Sequence, residues 1–160
     1  VTFNEYFDTF VPASKQVGQM QTLLENLYKQ ETTFGETDFS ALCGHLGKHV
    51  NKRSFLVLYT NFSNMTSLNR QLVYLQQLAR QHRVLVVFFE DADLKEYIAG
   101  KSVTTEDYYR HVIAEKFAFE KRLIVSTLKQ HGIYSLLTTP DKLSIDVINK
   151  YLEMKSRQLL

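Results

Sequence analysis

The sequence predicts an α/β domain built on a mostly parallel sheet with helices on both faces. Ser54-Phe-Leu-Val-Leu-Tyr-Thr-Asn-Phe62 and Arg83-Val-Leu-Val-Val-Phe-Phe-Glu-Asp91 are short, nearly unbroken apolar runs rich in Val, Leu and Phe. Runs apolar on both faces suit parallel strands covered from each side, because a strand with one wet face would alternate. A segment of helical period separates the two runs. Strand, helix, strand at this length is a βαβ unit with a right-handed crossover. The polar residues that end the runs, Thr60-Asn61 and Glu90-Asp91, then fall on one rim of the sheet. That rim is where open α/β sheets bind ligands.

Val1–Phe3 and Tyr6–Val11 read as two strands joined so tightly that they must form an antiparallel hairpin. Val17, Met20, Leu23, Leu24, Leu27 and Tyr28 follow helical spacing and predict an amphipathic helix over Val17–Gln30. Thr37 or Asp38 can cap the next helix, whose stripe is Phe39, Leu42, Cys43, Leu46 and Val50. Gly44 and Gly47 weaken it by about 1 kcal/mol each relative to Ala. The strand Ser54–Thr60 follows, then a capping region at Ser63 to Ser67 and a helix from Ser67 to Gln81. Next come the strand Val84–Phe89 and a short helix over Asp93–Ile98 that stops at Gly100. Thr104 or Thr105 opens the longest helix, which ends at His131 with Gly132 just past it. Tyr108, Val112, Phe117, Leu123, Ile124 and Leu128 are its expected apolar contacts, and at roughly 40 Å it overhangs a small sheet. Ile133–Leu137 is the last strand, and Ser144 can cap a final helix to Lys155.

A chain of 160 residues, 44% hydrophobic, suits a single domain over 1–160. Charged residues make up 22%, and the net charge of +2 with no run of either sign gives no electrostatic case for nucleic acid. One cysteine, Cys43, excludes an internal disulfide and fits a reducing compartment. No apolar stretch approaches the roughly 18 residues that span a bilayer. The chain opens without Met inside what reads as strand, so it is expected to be part of a longer protein.

Two clusters could carry chemistry. His45 and His49 stand at i and i+4 with Cys43 nearby, but they lack the Glu of His-Glu-x-x-His and a third ligand. Histidines facing solvent or a partner, with Cys43 in the core, are the expectation there. Glu90, Asp91 and Asp93 cluster past a strand end, where carboxylates can hold Mg²⁺ for phosphoryl chemistry. No Lys, His or Gly-rich phosphate loop converges on them in sequence, so strand termination and helix capping are the plainer account. There is no Gly-x-Ser-x-Gly, P-loop or Gly-x-Gly-x-x-Gly.

The order hairpin, two helices, βαβ, long helix and strand carries a resemblance, along with several short motifs. These are Thr37-Asp38-Phe39, Lys52-Arg53-Ser54, Gly132-Ile133 and Tyr151-Leu-Glu-Met-Lys155. From about residue 1 to 157 the chain resembles the bacterial von Willebrand factor A-like family known as domain of unknown function fifty-eight. The resemblance implies a three-layer, Rossmann-like von Willebrand A-type domain whose first central strand is missing from this chain. It implies a degenerate metal-ion-dependent adhesion site, in which Thr37 matches the Thr ligand and Asn61 stands where an Asp is expected. Asp-x-Ser-x-Ser, which would supply the other ligands, is not in the sequence. No cofactor is therefore expected in this fragment, with Mg²⁺ left to the intact parent.

The implied role is a non-enzymatic protein-interaction module, a partner of a MoxR-type AAA+ ATPase in assembly or stress-related functions. The implied location is cytoplasmic, at the cytoplasmic face of a membrane if upstream segments anchor the parent. The alternative from another class is a Mg²⁺-dependent phosphoryl-transfer or nuclease domain centred on Asp91 and Asp93. A missing strand also leaves one flank of Ser54–Thr60 without partners. That edge is expected either to pair directly with Val1–Phe3 or to form a homodimer.

Overall fold

A computed structural model of the chain describes residues 1–4, 7–12, 14–31, 37–62, 64–90, 92–100 and 104–160. It divides into two compact units, Val1–Asn51 and Lys52–Leu160.

In the first unit, β1 (Thr2–Phe3) and β2 (Phe7–Thr9) form the expected antiparallel hairpin. α1 (Gln19–Tyr28) starts at Gly18, whose φ of +95° lies in the left-handed region that favours glycine. Its predicted apolar stripe is present but faces solvent: no residue of α1 is buried, and Met20 is 69% exposed. Periodicity fixes which side of a helix is apolar, not what covers it. α2 (Phe39–His49) is capped by Asp38, whose carboxylate accepts from the Ser40 N–H at 2.7 Å and the Ala41 N–H at 3.2 Å. Phe39, Leu42, Cys43 and Leu46 are buried, as their spacing predicts. Phe39 meets Phe3 edge-to-face at 5.3 Å.

The second unit is the α/β half. β3 (Phe55–Tyr59), β4 (Arg83–Phe89) and β5 (Tyr134–Thr138) form a three-stranded sheet in the order β3-β4-β5, parallel throughout. Central β4 is buried from Val84 to Phe88, consecutive residues that point to opposite faces, so both faces are covered. Between β3 and β4 runs α3 (Met65–Gln81), opened by a capping box in which Asn64 and Ser67 bond reciprocally. α4 (Ala92–Ala99) and α5 (Thr105–Gln130) follow β4, and α6 (Leu143–Ser156) closes the unit.

Side-chain alternation along β5 assigns the layers. Ser135 donates to the Val125 carbonyl of α5 at 3.5 Å, while Thr138, of opposite parity, donates to Asp146 of α6 at 2.5 Å. α5 therefore lies on one face of the sheet and α6 on the other. α3 packs against β4 and α5, on the α5 face, and Tyr151 of α6 meets Phe55 of β3 at 5.7 Å.

Several expectations are adjusted. α6 begins at Leu143 with Lys142 at the N-cap and no side-chain cap, so Ser144 sits within the first turn rather than capping it. Among the described residues β1 pairs with β2 in a sheet of two strands, and β3 pairs with β4. Along α5, Ile124 and Leu128 are buried as expected, but Tyr108, Val112, Phe117 and Leu123 are exposed. The helix has 26 residues and spans about 39 Å, whereas the five residues of β5 cover about 17 Å, so the sheet supports only part of it.

The start and end of α5 match the reading. Thr104 and Asp107 form a capping box. Gly132, φ +73°, closes a Schellman turn in which the Ile133 N–H donates to the Leu128 carbonyl at 2.9 Å.

Candidate functional site

Three parallel strands deliver their carboxyl ends to one rim. The ladder continues past the strands, with Thr60 N–H donating to the Val87 carbonyl at 3.1 Å and Glu90 N–H to the Thr138 carbonyl at 2.9 Å. α4 and α5 stand beside this rim, joined by Tyr97, whose hydroxyl donates to the Asp107 carbonyl at 3.4 Å. Between them and the strand ends opens a cleft of about 990 Å³. Leu94 and Ile98 of α4, Phe117 and Ala118 of α5, and Leu137 of β5 give it apolar walls; Asn61, Glu90, Glu115, Lys121 and Arg122 supply its polar groups.

Lys121 is held at two points. Its ammonium donates to the side-chain oxygen of Asn61 and to the Phe62 carbonyl at 3.0 Å, tying α5 to the segment after β3. Burial pulls its pKa below the usual lysine range, because partial desolvation penalises the charged form. No carboxylate among the described residues lies within ion-pair distance of it.

Thr37 lies in the first unit, one residue before the Asp38 cap of α2. Asn61 lies in the second, exposed, two residues past β3. The divalent ion that the resemblance implies does not suit Asn61 as it stands, because the amide oxygen it would need already accepts from Lys121. An ammonium there also opposes a second cation by like-charge repulsion. Asp93 is exposed in the first turn of α4, and Asp91 lies outside the described residues.

His45 and His49 share one face of α2 as their spacing predicts, with rings stacked at 5.7 Å and nearly parallel, and His49 Nδ1 bonds the His45 carbonyl at 2.9 Å. Cys43 is buried, and its thiol is pushed up to about 11, first by desolvation and then by the Asp38 carboxylate. Among the described residues no three His, Cys, Asp or Glu side chains gather as a metal site.

Sequence reasoning passed over Lys121, although a signal was there. Phe117, Lys121, Ile124 and Leu128 are spaced i, i+4, i+7 and i+11, so the cation occupies a position in an apolar stripe. No protein-family model, curated protein or solved structure matches the chain. None of its helices among the described residues is long and apolar enough to cross a membrane.

Proposed function

We propose that the chain is a non-enzymatic protein-interaction module that takes its partner at the carboxyl rim of the parallel sheet. The observation that carries this reading is the cleft, whose apolar walls run on into exposed apolar residues of α5, including Ile113, Phe117 and Phe119. Exposed apolar surface of this kind, bordered by polar groups, marks interaction sites. The finer fold, a von Willebrand A-type domain, is supported by the order of hairpin, two helices, βαβ, long helix and strand. The partner, a MoxR-type AAA+ ATPase met on the cytoplasmic side of a membrane, comes from the resemblance.

Surface plasmon resonance with a purified MoxR-type ATPase over the immobilised chain tests the reading. Saturable binding is expected, weakened at least about tenfold by Phe117→Asp at the cleft, which places a charge in an apolar contact. Ile145→Asp, on exposed α6 across the sheet, leaves it unchanged. Equal loss from both variants, or no binding by the unaltered chain, overturns the proposal.

A further inference from the structure

We infer that Lys121 is the cationic anchor of the rim and that the cleft beside it receives a carboxylate carried on an apolar segment of a protein partner. The inference rests on the interaction-module reading and specifies the chemistry of its partner.

An ammonium has three N–H donors. Lys121 uses two, on the Asn61 side chain and the Phe62 carbonyl, both neutral oxygens. The side chain is half-buried, so its charge has lost part of its hydration without gaining a counter-ion. A carboxylate entering the cleft supplies that counter-ion in a charge-assisted bond about twice as strong as a neutral one.

Nearby charge supports the same ligand. Arg122 opens on the cleft without an ion pair among the described residues. Of the cleft's own carboxylates, Glu115 lies 3.7 Å from His111 and Glu90 projects from the strand end.

The cleft's size argues for a peptide rather than a metabolite. At about 990 Å³ it reaches the upper end of small-molecule sites, and its apolar wall continues along the exposed face of α5.

Acetyl-Leu-Asp-Leu-amide, its Asn counterpart and octanoate serve as probes, followed by amide and lysine-ammonium NMR shifts on the whole chain. The Asp peptide is expected to shift Asn61, Glu90 and Lys121 saturably. The Asn peptide binds at least about tenfold more weakly, the loss of one charge-assisted bond. Lys121→Met removes this preference and Lys121→Arg keeps it. The Lys121 ammonium should also titrate at higher pH with the Asp peptide bound, a change that a purely structural lysine would not show.

Equal binding of the Asp and Asn peptides, no binding of either at millimolar concentration, or a preference that survives Lys121→Met overturns the inference. Octanoate binding more tightly than the Asp peptide makes the cleft a small-molecule site and also overturns it. If the ATPase binds but ignores Lys121→Met, this inference fails alone; if the peptide preference holds while the ATPase does not bind, the ATPase-binding proposal fails and the carboxylate site stands.

Discussion

Cys43 and Lys121 are each displaced from their ordinary ionisation by burial, in opposite directions. The thiol is neutral when protonated, so desolvation raises its pKa, to about 11. A raised thiol contributes stability that is present below the unfolded thiol range and is lost as pH rises through about 11. Between roughly pH 8.5 and the folded value the unfolded thiol gives up its proton first. Urea midpoints should therefore fall over that interval, and less steeply in Cys43→Ala. At pH 8, iodoacetamide should label Cys43 at least about 100-fold more slowly in the folded chain than in urea, because the thiolate fraction drops about tenfold per unit. Labelling at equal rates would show that the thiol is not buried. Lys121 runs the other way: its depressed pKa means that the unfolded state holds the proton to higher pH, so this residue favours folding more as pH rises toward the usual lysine range.

Helix α2 is well anchored at its start and weakened within. Asp38 caps it, and four buried side chains hold its inner face, yet Gly44 and Gly47 sit exposed, with open space where a Cβ would go. Gly44→Ala and Gly47→Ala should each stabilise the chain by about 0.5–1 kcal/mol, read as a higher urea midpoint at unchanged slope. A lower midpoint would show that the outer face of α2 has no room for a methyl group. The caps of α5 at Thr104 and Gly132 were legible because capping acts over three or four residues, but the number of turns it buries depends on the length of the strands beneath it.

For the whole molecule, the side of β3 turned away from β4, paired with no other strand among the described residues, has the largest consequence. Thr60 N–H bonds to β4, so by alternation the N–H groups of Val57 and Tyr59 point away from it, along an edge with no charge and no proline. Antiparallel pairing of two such edges across a two-fold axis is expected to give a homodimer. Light scattering should report twice the chain mass, amide exchange should be slow at Val57 and Tyr59, and Tyr59→Lys should shift the chain toward monomer. A monomer with loop-like exchange at both amides would end the idea. The sequence by itself determined the kind and order of the elements, because strand and helix periods, Asp38, Thr104 and Gly132 act on neighbours a few residues away. It also marked Asn61 as a rim residue, since a strand must end where its apolar run ends. Only the tertiary structure decided that Lys121, 60 residues further on, holds Asn61, and that the stripe of α1 and the Tyr108, Val112 and Phe117 positions of α5 stay exposed. Those outcomes depend on the path of the chain through space, and spacing along the sequence does not encode which distant surfaces meet.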